Sequence, residues 1–568
     1  MKIKRGLSLV IAGSMLGISV MTSVANAVSV TDIQHLQKTL LSTGKASEAD
    51  DYNGDGVINA VDLSLMKRAL LNADNDTGTS KASVIPATES NVKLIGRTMQ
   101  KNDVTWLVQS GSAAECTVTG TEASVTIAGD GCVYSDEQWR PRYGVFVDDE
   151  LIADVVMGEP EQTVQLFSGA TQRTAKVKIM HLSEANNGAI GVKQFDVVSS
   201  AKQPVKPTAK KDLTIEFIGD SITCAYGVEA DTQYVNFATG TENFSKSYAY
   251  LTAQLLDADY SAVSYSGHGI ISGYTSTDEP EINSLVPPYY TMVGKLDDYQ
   301  SEWDFESHPS DVVVLNLGTN DDTYAGKDLE TRGKEYQDGY VDFLKLIREK
   351  NPDAAIICTL GIMGCEELYP YIEAAVAEVN DPKISCYLSP TQNAADGYGA
   401  DWHPSPITHE KNSYLLADKI CTAIGRESSK IGIDLAFESN HGFFVDESAG
   451  ANAWPYFNDY DKSLNLNVSS AGDSPESIRA FMQDISLPKG GYELAFTAKM
   501  PAGSSATYAV RSMSDPKKVY CTGEVDSENM LVPFEMTEAD DAVEIVFLIG
   551  ENKTGNFTFV NVTLYKRS

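Results

Sequence analysis

The sequence predicts a multidomain protein. A central three-layer α/β domain is built on a parallel sheet and carries a β-sandwich on each flank, with a small α-helical module at the N-terminal end. Three observations carry this reading. The chain has 568 residues, and at roughly 150 residues per domain that length holds three or four domains. Between about 213 and 425, strand-like apolar runs alternate with helical segments, the pattern of βαβ units. On both flanks the runs are short, alternating and separated by turn residues, with no helical period.

In chain order, the first residues read as a secretory signal. Lys2, Lys4 and Arg5 precede an apolar stretch from Leu7 to about Val24, and Ala25-Asn26-Ala27 supplies a small-x-small cleavage site. Residues 1–27 are therefore expected to be a signal peptide, and the mature chain a secreted, extracellular protein. Later apolar runs are too short to span a bilayer. The balance of 44 Lys+Arg against 79 Asp+Glu gives a net charge of −35. Such a surface repels phosphate backbones and anionic lipid, so neither nucleic acid nor membrane is an expected partner. Cys116, Cys132, Cys224, Cys358, Cys365, Cys386, Cys421 and Cys521 are scattered without a CxxC pair. Free thiols are expected, with Cys116–Cys132 the one pair at hairpin scale.

Residues 28–72 form the helical module. Asp51, Asn53, Asp55, Asn59 and Asp62 stand at positions 1, 3, 5, 9 and 12 of a twelve-residue loop. Gly56 takes the sharp turn at position 6, and the Val57 carbonyl supplies position 7, a donor set for Ca2+. Leu63, Met66, Leu70 and Leu71 line one face of the following helix, and Asp32, Ile33, Leu36, Leu40 and Leu41 repeat that spacing upstream. The duplication resembles a dockerin, which implies a structural Ca2+ and a cohesin domain on a scaffold protein as partner. Eleven places before Asp32 lies Met21, inside the signal, so the first repeat keeps its helix without most of its loop. Residues 73–91, rich in Asp, Thr, Ser and Ala, read as a linker.

From 92 to 200, runs such as Val104–Val108, Ala123–Ile127, Tyr143–Val147, Thr163–Phe167 and Ala175–Met180 predict the first sandwich. Pro204 and Pro207 mark its end. Over 212–427, Leu213–Ile218, Val312–Leu317 and Ala354–Leu360 read as strands, and Tyr248–Leu256 and Tyr336–Glu349 as helices. From 431 to 568 the β pattern returns, for example Tyr492–Lys499 and Ala542–Leu548. Phe443, Phe444, Trp454, Tyr456, Phe457 and Tyr460 cluster there, either as core residues or as sugar-stacking platforms.

Chemistry concentrates in four segments of the α/β domain. Gly219-Asp220-Ser221 ends the first strand and delivers a hydroxyl to the carboxyl edge of the sheet, where such folds place ligands. Gly267 lies in Ser-Gly-His-Gly, Asn320 in Gly-Thr-Asn-Asp, and His403 in Asp401-Trp402-His403-Pro404. A hydroxyl nucleophile, an imidazole base and hydrogen-bond donors suffice for acyl transfer through a tetrahedral oxyanion.

These blocks, in this order, resemble the SGNH (GDSL-type) hydrolases. With a β-sandwich directly upstream, they are most similar to the acetyl xylan esterases of carbohydrate esterase family 2. The resemblance covers roughly 92–425. It implies a jelly-roll sandwich packed on an SGNH domain, and metal-free removal of O-acetyl groups from acetylated plant polysaccharide such as xylan or glucomannan. It further implies Ser221 as nucleophile and His403 as base, with the N–H groups of Ser221 and Gly267 and the Asn320 amide as oxyanion hole. Asp401 lies two residues before the histidine, where the superfamily usually has its aspartate three before; the third is Ala400. An extended segment would project Asp401 and His403 the same way, completing a triad; a Ser-His dyad oriented by a backbone carbonyl is the other possibility. Trp402 stands either as a sugar platform or in the core. Two other readings remain at this point: an SGNH lipase or thioesterase, and a non-catalytic carbohydrate-binding component of a scaffold.

Overall fold

The computed structural model describes residues 30–41, 46–47, 50–52, 56–73, 82–392, 396–426, 432–434, 444–448, 450–458, 463–525 and 529–567. The expected signal and residues 74–81 of the expected linker lie outside them; beyond 81 the linker reading is corrected, because Ser83–Pro86 is a strand paired with the strand Ile190–Val198 and Ala87 is buried. Among the described residues, no helix is long and apolar enough to cross a membrane. All eight cysteines are free thiols, so Cys116 and Cys132 are not bridged.

Helices α1 (Val30–Leu40) and α2 (Ala60–Ala73) pack through Ile33, Leu36, Ile58 and Met66. These are apolar positions of the two repeated helices plus one loop residue. Downstream, ten strands between Ser83 and Pro207 join in one hydrogen-bonded network around Leu107, Val125, Tyr143, Ile179 and Phe195. Thr163–Phe167 and Ala175–Met180 are not separate strands but parts of a single strand, Glu161–His181. Residues 168–174 between them are exposed, which breaks the in–out alternation that defines a strand in sequence.

The α/β domain has five parallel strands. Their spatial order is Asp259–Ser264, Thr214–Gly219, Val312–Asn316, Ala355–Leu360 and Ile384–Leu388. Val312–Asn316 and Ala355–Leu360 are buried throughout, as strands covered on both faces must be. The short helices α3 (Ser221–Cys224) and α5 (Thr319–Ala325) follow strand ends. Helices α4 (Tyr248–Leu255) and α8 (Pro406–Ile424) cover one face, and α6 (Leu329–Lys350) and α7 (Tyr369–Val379) the other.

The upstream β domain shares this core: Ile95, Ala113, Met180 and Leu182 belong to the same cluster as Phe217, Phe244 and Tyr260. Buried charges cross the same boundary. Arg97, fully enclosed, pairs with Glu216 at 2.9 Å, and Tyr290 donates to the other Glu216 oxygen at 2.8 Å. Arg142 spans Asp154 and Glu229 at 2.6 and 2.7 Å.

Two antiparallel sheets make up the C-terminal part and enclose one core containing Leu466, Leu494 and Phe557 from one sheet and Met482, Ile545 and Phe547 from the other. Ile407 of α8 is buried in that core, and Lys411 donates to the Gln483 carbonyl at 2.6 Å.

Candidate active site

Three of the parallel strands end in the residues singled out above. Strand Thr214–Gly219 runs into Asp220 and Ser221, Asp259–Ser264 into the Gly267 loop, and Val312–Asn316 into Asn320. Numbered along the chain, the strands lie in the order two-one-three-four-five. Connections therefore depart in opposite directions from the first and third strands, which opens a crevice at their carboxyl ends.

The turn after the first strand demands a glycine: a Cβ on Gly219 would lie 2.0 Å from Thr223 Oγ1. Asp220 then caps the short helix α3 (Ser221–Cys224), its carboxylate accepting the Ile222 N–H at 3.0 Å. Burial pushes the Asp220 carboxyl up to about 7.

His403 Nε2 lies 2.9 Å from Ser221 Oγ, and His403 Nδ1 lies 3.1 Å from the Ala400 carbonyl oxygen. That carbonyl can only accept, so Nδ1 carries the proton and Nε2 presents its lone pair to the serine. Burial pushes the imidazole down to about 4. The Tyr226 ring stacks on it with centroids 4.0 Å apart.

The placement of Asp401 corrects the triad expectation. Its carboxylate accepts the Tyr226 hydroxyl at 2.8 Å, while Ala400 holds the position at Nδ1. The cause is local backbone: Asp401 and Trp402 have φ of 49° and 64°. The segment is coiled in the left-handed region rather than extended, so residues two apart do not share a direction.

Gly267 has φ 75° and borders open space, with nothing within 4 Å of where a Cβ would stand. Its loop is clamped from two sides. Asp321 accepts the N–H groups of Ile270, Ile271 and Ser272 at 3.0, 2.8 and 3.1 Å. Glu184, from the upstream β domain, accepts the Ser266 N–H at 2.8 Å. Asn320 Nδ2 donates to the His268 carbonyl at 2.9 Å and faces Asp220 Oδ2 at 3.3 Å. His409, buried, accepts the Tyr248 N–H at 3.1 Å, and His268 sits between Ser266 O and Lys295 Nζ; neither touches Ser221.

Aromatic side chains line the approach. Trp139 of the upstream domain packs on Phe237 at 5.3 Å, and Phe237 on Tyr226 at 4.6 Å. Trp402 contacts Tyr234 and Tyr398 at 5.7 and 5.2 Å and is 48% exposed, so it is not a core residue. Sequence reasoning missed Tyr226, Trp139, Tyr234 and Glu184. Of these only Tyr226, five residues after the serine, carried a local signal.

In the N-terminal module, Gly56 at φ 80° donates its N–H to Asp51 Oδ2 at 2.8 Å. Asp62, buried, accepts the Asn59 N–H at 2.9 Å, and Asn59 Nδ2 donates to the Val57 carbonyl at 3.1 Å. Asn53 and Asp55 lie outside the described residues. Among the described residues no group of three or more His, Cys, Asp or Glu is placed to hold a metal ion.

Comparison with known proteins agrees with this geometry. The GDSL-like lipase/acylhydrolase family model matches residues 217–411, the carbohydrate esterase 2 N-terminal model 94–207, and the dockerin type I model 26–71 and 49–83. The cellulase/esterase CelE of Acetivibrio thermocellus is 33% identical over 325 residues, 56% of this chain; the chain spans 37% of that longer protein. An acetylxylan esterase/glucomannan deacetylase of Cellvibrio japonicus is 27% identical over 49% of this chain and 76% of its own length. Among solved structures, a family two carbohydrate esterase from Clostridium thermocellum in complex with cellohexaose is 31% identical, with a TM-score of 0.52 over 59% of this chain and 99% of that one. The chain is thus a member of carbohydrate esterase family 2, with a GDSL-like catalytic domain and a type I dockerin at its N-terminal end.

Proposed function

We propose that the protein is a secreted, scaffold-borne esterase that removes O-acetyl groups from plant cell-wall polysaccharide of the xylan or glucomannan type. The observation that carries this is the Ser221–His403 pair at 2.9 Å with Nδ1 held on a backbone carbonyl. Relatives named acetylxylan esterase support the substrate class.

In this reading His403 Nε2 takes the Ser221 proton as Oγ attacks the acetyl carbonyl. The oxyanion is received by the N–H groups of Ser221 and Gly267 and by Asn320 Nδ2. His403 returns the proton to the departing sugar oxygen, leaving acetyl-Ser221. A water deprotonated by His403 then attacks, and collapse releases acetate and restores the serine. Catalysis is by a dyad: the Ala400 carbonyl fixes the tautomer, and Asp401 acts at second hand, through Tyr226 and as a nearby charge. No metal takes part.

The exposed approach formed by Trp139, Tyr234 and Trp402, at 44, 77 and 48%, suits a polymer laid across the surface. A lipase would instead need an enclosed apolar channel. The 92–200 and 431–568 regions are read as a jelly roll and a β-sandwich, supported by the antiparallel pairing and the shared two-sheet core. Residues 28–73 are read as the cohesin-docking module, the linker ends before the strand that starts at Ser83, and 212–427 is read as the esterase domain.

For Ca2+, the donors Asp51, Asn53, Asp55, Asn59, Asp62 and the Val57 carbonyl are all oxygen, the chemistry this ion selects. The described part of the loop turns at Gly56 as that donor set requires. Bound there, the ion would neutralise the acidic loop and fix it against α2. The test of the whole reading is acetate release from acetylated xylan and glucomannan. Turnover that vanishes in Ser221→Ala supports it; faster cleavage of long-chain than of acetyl p-nitrophenyl esters overturns it.

A further inference from the structure

We infer that the C-terminal domain carries a second, non-catalytic binding surface for a neutral glycan chain, on the outer face of one of its sheets. Strand Asn452–Asn458 pairs with Ser463–Ser470, which pairs with Gly555–Arg567. In that register Trp454 stands opposite Asn467 and Asn467 opposite Asn556; Tyr456 stands opposite Asn465 and Asn465 opposite Thr558. The intervening residues Leu464, Leu466, Phe557 and Phe559 point into the core. The six therefore form two parallel rows of three on the outward face, spanning about 10 Å across three strands spaced ~4.8 Å apart.

Trp454 is 75% exposed and Tyr456 62%. Residues two apart on a strand lie ~6.6 Å apart, so the two rings lie side by side along the sheet edge. Large aromatics left this open at adjacent same-face positions mark a contact surface. The rest of the grid identifies the ligand. Beside the rings stand three amides and a hydroxyl, and the first charge in these rows is Lys499, opposite Thr558 on the next strand and three strands away from the rings. Thr558 donates to Asn465 Oδ1 at 2.7 Å, and Asn556 Nδ2 to the same oxygen at 3.2 Å, which holds those groups in place.

A protein partner's interface would require a broader apolar centre, and an ionic partner would require charge. On a chain of net charge −35, an aromatic-plus-amide surface whose one flanking charge, Lys499, lies at its far side fits a ligand with C–H faces to lie on the rings and hydroxyls to meet the amides. That is a pyranose chain. The site needs no acetyl group and holds polymer near the enzyme independently of the crevice at Ser221.

The test uses the full chain bearing Ser221→Ala, run in native gels containing deacetylated glucomannan, deacetylated xylan or hydroxyethyl cellulose. Retardation by at least one glycan is expected, with affinity about tenfold or more weaker in Trp454→Ala/Tyr456→Ala. Leu531→Ala, exposed on the strand Asn529–Met536 of the same sheet, should bind as the parent does. With Ser221 intact, the double variant should keep its p-nitrophenyl acetate turnover, which shows that the fold survives. Equal retardation of parent and double variant would overturn the proposal, because the crevice alone would then hold polymer. So would a parent retarded by none of the glycans. Neither outcome depends on acetate release, so this inference and the esterase reading fail separately.

Discussion

Replacing Asp401 by asparagine separates a dyad from a triad. Removing a triad carboxylate that contacts the base costs about 10⁴-fold in turnover, because the imidazole loses both its tautomer and its counter-charge. Here the Nδ1 proton goes to the Ala400 carbonyl at 3.1 Å, and the Asp401 carboxylate accepts the Tyr226 hydroxyl at 2.8 Å. What the substitution removes is one hydrogen bond to an exposed carboxylate, a contact of about 0.2–1 kcal/mol in water-accessible settings. Tyr226 packs on the imidazole at 4.0 Å, so loosening it perturbs the base at second hand. At 1.36 kcal/mol per factor of ten, the expected loss in kcat is about 1.4-fold to fivefold. The Asp401 charge also raises the His403 pKa, so the acid limb of the rate profile should move to lower pH. The assay is kcat and kcat/KM on p-nitrophenyl acetate and on acetylated xylan, for the parent, Asp401→Asn and Tyr226→Phe. Tyr226→Phe deletes the same hydrogen bond while keeping the stacked ring and should match Asp401→Asn. A thousandfold loss in Asp401→Asn with near-normal Tyr226→Phe would refute the reasoning and place the carboxylate on the imidazole during turnover.

Asn320→Ala removes one donor of the proposed oxyanion hole and should lower kcat ~10²–10³-fold with little change in KM, measured on the same ester. His403 must be neutral to accept the serine proton, and burial depresses its pKa to about 4. The kcat/KM profile should therefore stay flat as pH falls from 7 to 5 and halve near pH 4; a limb near 6.5 would mean a solvated imidazole. Arg97→Met leaves Glu216 charged and enclosed where the pair now sits at 2.9 Å, a change that costs about 3–5 kcal/mol in buried sites and should show as a lower calorimetric Tm. A chelator should abolish cohesin binding while leaving p-nitrophenyl acetate turnover unchanged, since the proposed Ca2+ donors all lie between Asp51 and Asp62.

What sequence can disclose follows from how local each determinant is. Ser221, Gly267 and Asn320 were legible because each closes a parallel strand, and βαβ topology alone brings three such ends to one crevice. Strands of the C-terminal part such as Gly490–Lys499 and Asp540–Leu548 were legible for the same kind of reason, since the apolar pattern along a single strand writes them. Tyr226 carried only a faint local signal, and Trp139 was not legible. Trp139 reaches the site by packing on Phe237, which packs on Tyr226. That contact requires the upstream β domain to share a core with the hydrolase through Ile95, Met180 and Leu182, a long-range packing event without a local pattern. Glu184 belongs to the same class: one carboxylate from the upstream domain fixes the loop that carries Gly267.

Asp401 shows the opposite failure, in which a local rule is applied where the backbone does not obey it. The inference that residues two apart share a direction holds in extended chain and fails across two consecutive left-handed residues. Nothing in Ala-Asp-Trp-His-Pro announces them, because Asp tolerates that region and Trp rarely enters it. The strain has a structural consequence. By coiling at Asp401 and Trp402, the chain turns the Ala400 carbonyl back onto Nδ1 and lifts Trp402 toward Tyr234 and Tyr398 at the surface. An extended segment would trade both for a carboxylate on the imidazole. One backbone kink therefore puts the Ala400 carbonyl, and not the Asp401 carboxylate, at Nδ1, and the same kink builds the aromatic wall past which the proposed polymer substrate would reach Ser221. Substitutions that straighten it, Trp402→Pro above all, should damage catalysis and polymer binding together, whereas Trp402→Gly, which accepts the left-handed region freely, should cost polymer affinity and spare p-nitrophenyl acetate turnover.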